Sequence, residues 1–155
     1  LSDIPQDWLK NWILNNKSIH VENKEYKLLS SAIVGGMLSI GVGIALGIKK
    51  RNESERVFIF VGDMTATTGI FRECFKYTIN NLLPIKFIVE NNFLSTDTPT
   101  NEAWGISKEE LERDFKNLKY KYPDYFDYYN YNDLRTKSND YWKLFNKTKI
   151  KNNEI

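Results

Sequence analysis

The sequence predicts an α/β fold, a parallel sheet flanked by helices, and two observations carry that prediction. Two strand-like runs, Val57-Phe58-Ile59-Phe60-Val61-Gly62 and Ile85-Lys86-Phe87-Ile88-Val89-Glu90, are joined by a helix-like segment and preceded by a long apolar stretch over residues 32–48. The order helix, strand, helix, strand requires crossovers between strands, and such crossovers are right-handed and pair their strands in parallel. At 155 residues the chain is long enough for one ordinary domain with its own core.

The first element is a short amphipathic helix over residues 4–14. Ile4, Trp8 and Trp12, with Leu9 and Ile13, stand at helical spacing, and Pro5 is tolerated in a first turn after Asp3. Residues 15–31 are polar and irregular and hold the single histidine, His20; they read as loop with a brief extended piece. Residues 32–48 are almost wholly apolar, carry Gly35, Gly36, Gly41, Gly43 and Gly47, and end in Lys49-Lys50-Arg51. A membrane span wants about 20 apolar residues and fewer helix-weakening glycines, although the Gly43 to Gly47 spacing resembles membrane helix-pairing patterns. The better reading is a buried helix at a subunit interface, and no membrane is expected.

The run over residues 57–61 is continuously apolar, β-branched and aromatic, which predicts a central strand covered on both faces. After Gly62-Asp63 come small and hydroxyl residues, Thr65-Ala66-Thr67-Thr68-Gly69, and then Ile70, Phe71, Cys74, Tyr77, Thr78 and Asn81 at helical spacing. A helix N-terminus there offers free N–H groups and a positive dipole end to a phosphate. Residues 82–84 close the helix, and residues 85–89 form the second buried strand. Ser107-Lys108-Glu109-Glu110 is a capping box ahead of Leu111 and Phe115, so another helix follows. From Tyr120 the chain is rich in tyrosine, asparagine and lysine, is interrupted by Pro123, and ends in one short apolar helix at Tyr141-Trp142-Lys143-Leu144-Phe145. Interleaved aromatic and basic residues suit single-stranded nucleic acid. Asp124, Asp127, Asp133 and Asp140 dilute any positive groove, so an arm packed on a partner subunit is the preferred reading. The expected division is an α/β domain over residues 1–106 and a helical, aromatic-rich arm over residues 107–155.

Charge and cysteine content narrow the classes. The formal net charge is +2 and the basic residues are dispersed among acidic ones, which argues against a nucleic-acid partner. A single cysteine, Cys74, excludes an internal disulfide and a thiolate zinc site and suggests a reducing, cytoplasmic setting. The chain opens at Leu1 in an already amphipathic stretch without a signal-peptide succession, so it is expected to be a piece lacking its beginning.

Chemistry concentrates at Asp63 and Asn92, which follow the two strands. Ligands of parallel sheets collect beyond the carboxyl ends of strands, and one carboxylate with one amide oxygen suits a hard cation such as magnesium on a diphosphate. Taken singly, Asp63 reads as a helix N-cap and Asn91-Asn92 as a turn pair.

Gly62-Asp63 followed at this distance by Glu90-Asn91-Asn92 resembles the thiamine diphosphate motif of the transketolase and 2-oxo acid dehydrogenase superfamily. The upstream block over residues 33–46 resembles the helix before that motif, and the likeness covers roughly residues 30–105. The resemblance implies magnesium ligation by the Asp63 carboxylate, the Asn92 side-chain oxygen and the Leu94 carbonyl. It also implies that the backbone around Met64 and Thr65 faces the diphosphate, that Gly62 permits close approach, and that Val34 lies near the aminopyrimidine. His20 falls where related proteins place a histidine-bearing loop near substrate. The motif usually has glycine where Met64 stands; Thr65, Thr67 and Thr68 offer compensating hydroxyls or cap the following helix.

In this superfamily the thiazolium serves as the electron sink, and the activating glutamate belongs to a pyrimidine-binding domain that this chain does not show after Asn92. A β-like partner subunit supplying that glutamate, in a hetero-oligomer active only as a pair, is therefore implied. The Ile33-Val34-Gly35 and Glu90-Asn91-Asn92 blocks look like an α subunit of a 2-oxo acid dehydrogenase decarboxylating component, which passes an acyl group to a lipoyl carrier. Leu38-Ser39-Ile40 and the stretch over residues 94–100 look like the amino-terminal half of a transketolase. The dehydrogenase-like α subunit is preferred, beside a split transketolase or a non-catalytic scaffold that keeps the fold.

Overall fold

A computed structural model describes residues 5–15 and 20–131. Ile4 and the helix expected at Tyr141–Phe145 lie outside the described residues. The elements in chain order are α1 (Gln6–Leu14), β1 (Glu22–Asn23), β2 (Leu28–Leu29), α2 (Gly36–Lys50), β3 (Val57–Gly62), α3 (Asp63–Ala66), α4 (Gly69–Asn80), β4 (Ile85–Asn91), β5 (Leu94–Ser95), β6 (Thr98–Pro99), α5 (Thr100–Trp104), α6 (Lys108–Lys121) and β7 (Phe126–Asn130). A parallel sheet flanked by helices organises them, as expected. Its strand order is β3-β4-β7. Two compact units can be distinguished: the chain up to Ile59 with Thr67–Phe87, and Phe60–Ala66 with the chain from Ile88 onward.

In the first unit, α1 stacks Trp8 on Trp12, with ring centroids 5.3 Å apart. The extended piece expected after it is a small hairpin, β1 against β2, with Glu22 opposite Leu29. The apolar helix begins at Gly36, later than residue 32, because Gly35 adopts φ 74 in the left-handed region. Along α2 the buried positions Leu38, Gly41, Ala45 and Ile48 recur every three or four residues. Gly41 is required by contact: a Cβ there would stand 2.3 Å from Ile59 Cδ1 and 3.7 Å from Ile85 Cδ1. No described helix is long and apolar enough to cross a membrane.

α4 starts with Thr68, whose hydroxyl accepts from the Phe71 N–H at 3.4 Å, so the capping role of that threonine is met. Phe71 and Phe75 meet Phe87 edge-on, at 5.4 and 5.7 Å between centroids. These rings, with Leu83 and Ile85, form an apolar core under α2 and α4.

The expectation for β3 needs correction. Ile59 and Val61 are buried, but Phe58 and Phe60 remain 40% and 46% exposed, so among the described residues one face is open. The continuous apolar run suggested cover on both sides; the strand order instead puts β3 at an edge and β4 in the middle, where Ile85, Phe87, Val89 and Asn91 are all buried.

In the second unit, α6 opens with the expected capping box. The Ser107 hydroxyl accepts from Glu110 N–H at 3.1 Å, and Glu110 accepts from Ser107 N–H at 2.9 Å. Phe115 on α6 lies against Phe126 and Tyr128 of β7, at 6.1 and 5.7 Å between ring centroids. Residues 126–130 are thus a strand of the sheet, where the aromatic tail had suggested only an arm.

Candidate functional site

Gly62 ends β3 and Asp63 begins α3 in the next residue, so the polypeptide turns sharply where the apolar strand stops. α3 is a single turn, separated from α4 by Thr67 and Thr68; the sequence had suggested a single helix start. β4 runs past the expected residues 85–89, to Asn91, and the chain then folds tightly. Phe93 takes φ 59 and Thr96 φ 52, both left-handed, as β5 turns back into β6. Thr100 N–H donates to the Phe93 carbonyl at 3.0 Å and closes the loop.

The two turns meet. The Asp63 carboxylate is completely buried, and its Oδ1 accepts from the Asn92 N–H at 3.4 Å. Asn92 Oδ1 accepts from the Leu94 N–H at 3.0 Å, and that same amide also lowers the Asp63 pKa, so both side-chain oxygens gather around Leu94. Asp63 Oδ2 is buried with no hydrogen-bond partner, and so is Thr100 Oγ1. Thr100 faces the carboxylate without meeting full hydrogen-bond geometry, yet its hydroxyl still favours the charged form.

Burial is the stronger influence and holds the Asp63 pKa above the ordinary carboxylate value; Thr100 and the amides of Asp63, Asn92 and Leu94 oppose it. A buried carboxylate with an unpartnered oxygen is costly, and charge there needs a compensating group. Among the described residues, no group of three histidine, cysteine, aspartate or glutamate side chains assembles a metal site without outside ligands.

Met64 and Thr65 follow on α3 and are half-buried. No atom stands within 4 Å of where a Gly62 Cβ would be, which leaves space beside the strand end. Asp63, Met64, Thr65, Gly62, Asn92 and Leu94 all belong to the second unit. Val34, exposed in the turn before α2, and His20, exposed before β1, belong to the first.

Thr100 and Asn91 were not singled out by sequence. A threonine at the start of a short helix carries no local mark of a buried hydroxyl, and the first asparagine of the pair looked like half of a turn.

A family model described as the dehydrogenase E1 component matches residues 7–110. Three pyruvate dehydrogenase E1 component α subunits are similar in sequence. That of Zymomonas mobilis is 30% identical over 87 residues, covering 56% of this chain and 25% of the relative. The chloroplastic α-3 subunit of Arabidopsis thaliana is 34% identical over 82 residues, 48% of this chain and 19% of the relative. The testis-specific mitochondrial form of Homo sapiens is 34% identical over 86 residues, 56% of this chain and 22% of the relative. The matched stretch thus spans a quarter or less of the length of these relatives. With the family model covering well over half of its residues, this chain belongs to the dehydrogenase E1 component family and is similar to its 2-oxo acid dehydrogenase α subunits.

Proposed function

We propose that this chain grips the magnesium–diphosphate end of thiamine diphosphate in a 2-oxo acid dehydrogenase decarboxylating component. The observation that carries the reading is the orphaned oxygen of Asp63, buried where the Asn92–Leu94 turn arrives. A divalent cation there would satisfy that oxygen and offset the burial of its charge.

The donor set fits such an ion. Asn92 Oδ1 uses one lone pair on the Leu94 N–H and keeps another. Thr100 N–H bonds the Phe93 carbonyl, so the next antiparallel pair, Leu94 opposite Pro99, is a non-hydrogen-bonded one and the ladder leaves the Leu94 carbonyl available. Asp63, Asn92 and Leu94 would hold magnesium with the diphosphate, while the backbone of Met64 and Thr65 and the space beside Gly62 would receive the phosphates. The family resemblance alone suggests Val34 for the aminopyrimidine and His20 for the substrate side. When bound, the cofactor supplies an electron sink for decarboxylation and acyl transfer.

The proposal includes a β-like partner subunit that contributes the activating glutamate in a hetero-oligomer. Support comes from α2, whose outward residues Ile40 and Ile44 are 47% and 46% exposed beside Gly43, where a Cβ would meet nothing. Such a stripe suits close approach by another helix. A cytoplasmic setting belongs to the same reading and agrees with the free, buried Cys74 thiol.

Calorimetry of the chain with its partner, thiamine diphosphate and Mg2+ tests the reading. Saturable binding that Asp63→Ala abolishes is expected; equal binding by wild type and Asp63→Ala overturns it. One observation favours a second reading, a scaffold without turnover: Met64 occupies the position at which the family motif has glycine. Absence of binding in wild type that Met64→Gly restores would favour the scaffold.

A further inference from the structure

A chain of polar side chains runs from the buried site turn out to the exposed side of α6. Asn91 is fully buried and uses both ends of its amide. Its Oδ1 accepts from the Phe93 N–H at 3.3 Å, which closes the backbone around Asn92. Its Nδ2 donates to Asn130 Oδ1 at 2.8 Å, and Asn130 Nδ2 donates in turn to Glu112 Oε1 at 2.9 Å. The other Glu112 oxygen holds Lys116 at 3.3 Å. The main chain runs alongside, with Tyr131 N–H donating to the Asn91 carbonyl at 3.0 Å.

Chemistry fixes the direction of this relay. An ionised carboxylate only accepts, so Asn130 must turn its NH2 toward Glu112 and its carbonyl toward Asn91. Asn91 must then give its NH2 to Asn130, which leaves its carbonyl oxygen for the Phe93 amide. The amide orientation at the turn is therefore set by a carboxylate on α6. Phe93 is held at φ 59, a left-handed conformation that is unfavourable for a non-glycine residue, and the Asn91 oxygen accepts from its N–H there. Glu112 and Asn130 both lie beyond residues 7–110, the stretch matched by the family model, so the relay is anchored outside that stretch.

We infer that Asn91, Asn130 and Glu112 are positioning residues that set the turn on which Asn92 and Leu94 are presented to a divalent cation and its diphosphate. The inference rests on the proposed reading of Asp63, Asn92 and Leu94 as cation ligands. Outer partners of ligating groups typically change metal affinity by about 10–100-fold when they are removed.

The test uses the chain with its partner and a charge-pattern swap. Asn130→Asp keeps an acceptor for Asn91 but has no N–H for Glu112 and sets two carboxylates face to face. Adding Glu112→Gln restores a donor to the new carboxylate. Affinity for thiamine diphosphate with Mg2+ is measured by calorimetry, and hydrogen exchange is followed at the Phe93 and Leu94 amides. Asn130→Asp is expected to weaken binding at least about tenfold and to speed exchange at both amides. The N130D/E112Q double variant is expected to return both readouts close to wild type, which a merely structural loss would not do.

Unchanged affinity and exchange in Asn130→Asp, or a double variant no better than the single, overturns the inference. If Asn130→Asp does not fold, Glu112→Ala removes the same acceptor, with the same expected loss and the same overturning result. Asp63→Ala separates the two levels. If it abolishes binding while Asn130→Asp is silent, the relay alone falls; if it binds like wild type, the ligand reading falls and takes the relay's role with it.

Discussion

The two ends of the same strands are built by opposite rules. Where β3 and β4 begin, beneath α2 and α4, the buried groups are mainly apolar, among them Leu38, Ala45, Ile48, Ile59, Phe71, Cys74, Phe75, Leu83, Ile85 and Phe87, and among the described residues a single buried polar side chain stands with them, Thr78, whose hydroxyl also lacks a partner. Where the strands end, Asp63, Asn91 and Thr100 are fully buried, and oxygens of Asp63, Thr100 and Asn101 lack partners. The first end follows what stability asks of a core. The second buries a carboxylate with an unpartnered oxygen beside other polar side chains, and departures of that kind concentrate at functional sites.

The largest expected effect breaks the apolar end. Phe87→Ala, at the centre of the Phe71–Phe75 ring cluster, is expected to lose about 3–5 kcal/mol in urea unfolding. A loss below about 1 kcal/mol would mean that the cluster is not the stabilising centre.

Asp63→Asn should act in the opposite direction, raising the stability of the ligand-free chain by about 1–3 kcal/mol as it removes an unpartnered buried charge. Its sign follows from linkage. The folded-state pKa of Asp63 is raised, so its contribution is most favourable below the ordinary carboxylate value and is lost as pH rises through the raised value. The advantage of Asp63→Asn should therefore widen between acid and neutral pH, measured as the difference in Tm with pH. A constant difference would show that charge burial is not the cause.

Glycine positions on α2 sharpen the contrast within one helix. Gly41→Val forces a side chain into Ile59 and is expected to cost about 1–3 kcal/mol. Gly43→Ala meets open space and is expected to gain about 0.5–1 kcal/mol through helix propensity. Equal effects at the two positions would deny that α2 buries one face only.

The smallest effect reads the edge of the site unit. The Tyr129 hydroxyl donates to the Glu90 carboxylate, which pushes the tyrosine pKa up to about 12. Its folded value lies above the ordinary phenol value of 10.0, so the interaction contributes fully below pH 10 and fades as pH rises through about 12. Ultraviolet titration should show a late phenol that moves back toward the ordinary value in Glu90→Gln; a late phenol unaffected by that change would point to another cause.

Much of this was legible in the residues. The apolar, β-branched and aromatic runs over residues 57–62 and 85–90 located both strands, and Ser107 with Glu110 marked the start of α6. The separation of Asp63 and Asn92 indicated a shared site, and the backbone does bring the two turns together. The open face of β3 was not legible, because an apolar run records that residues can be buried, not which neighbours arrive to bury them. The β5–β6 hairpin was missed as well: its strands are two residues each, too short for any periodicity to register.

By itself, then, the sequence determined the succession α1, α2, β3, α4, β4 and α6 and the two polar residues that follow the strands, because local periodicity and turn chemistry act over a few neighbouring positions. Tertiary structure decided that β4 is the middle strand, that residues 126–130 join the sheet, and that Asn91 reaches Asn130 across 39 positions of chain. Pairings at that separation depend on how the whole chain closes, and they leave no periodic trace in the residues that make them.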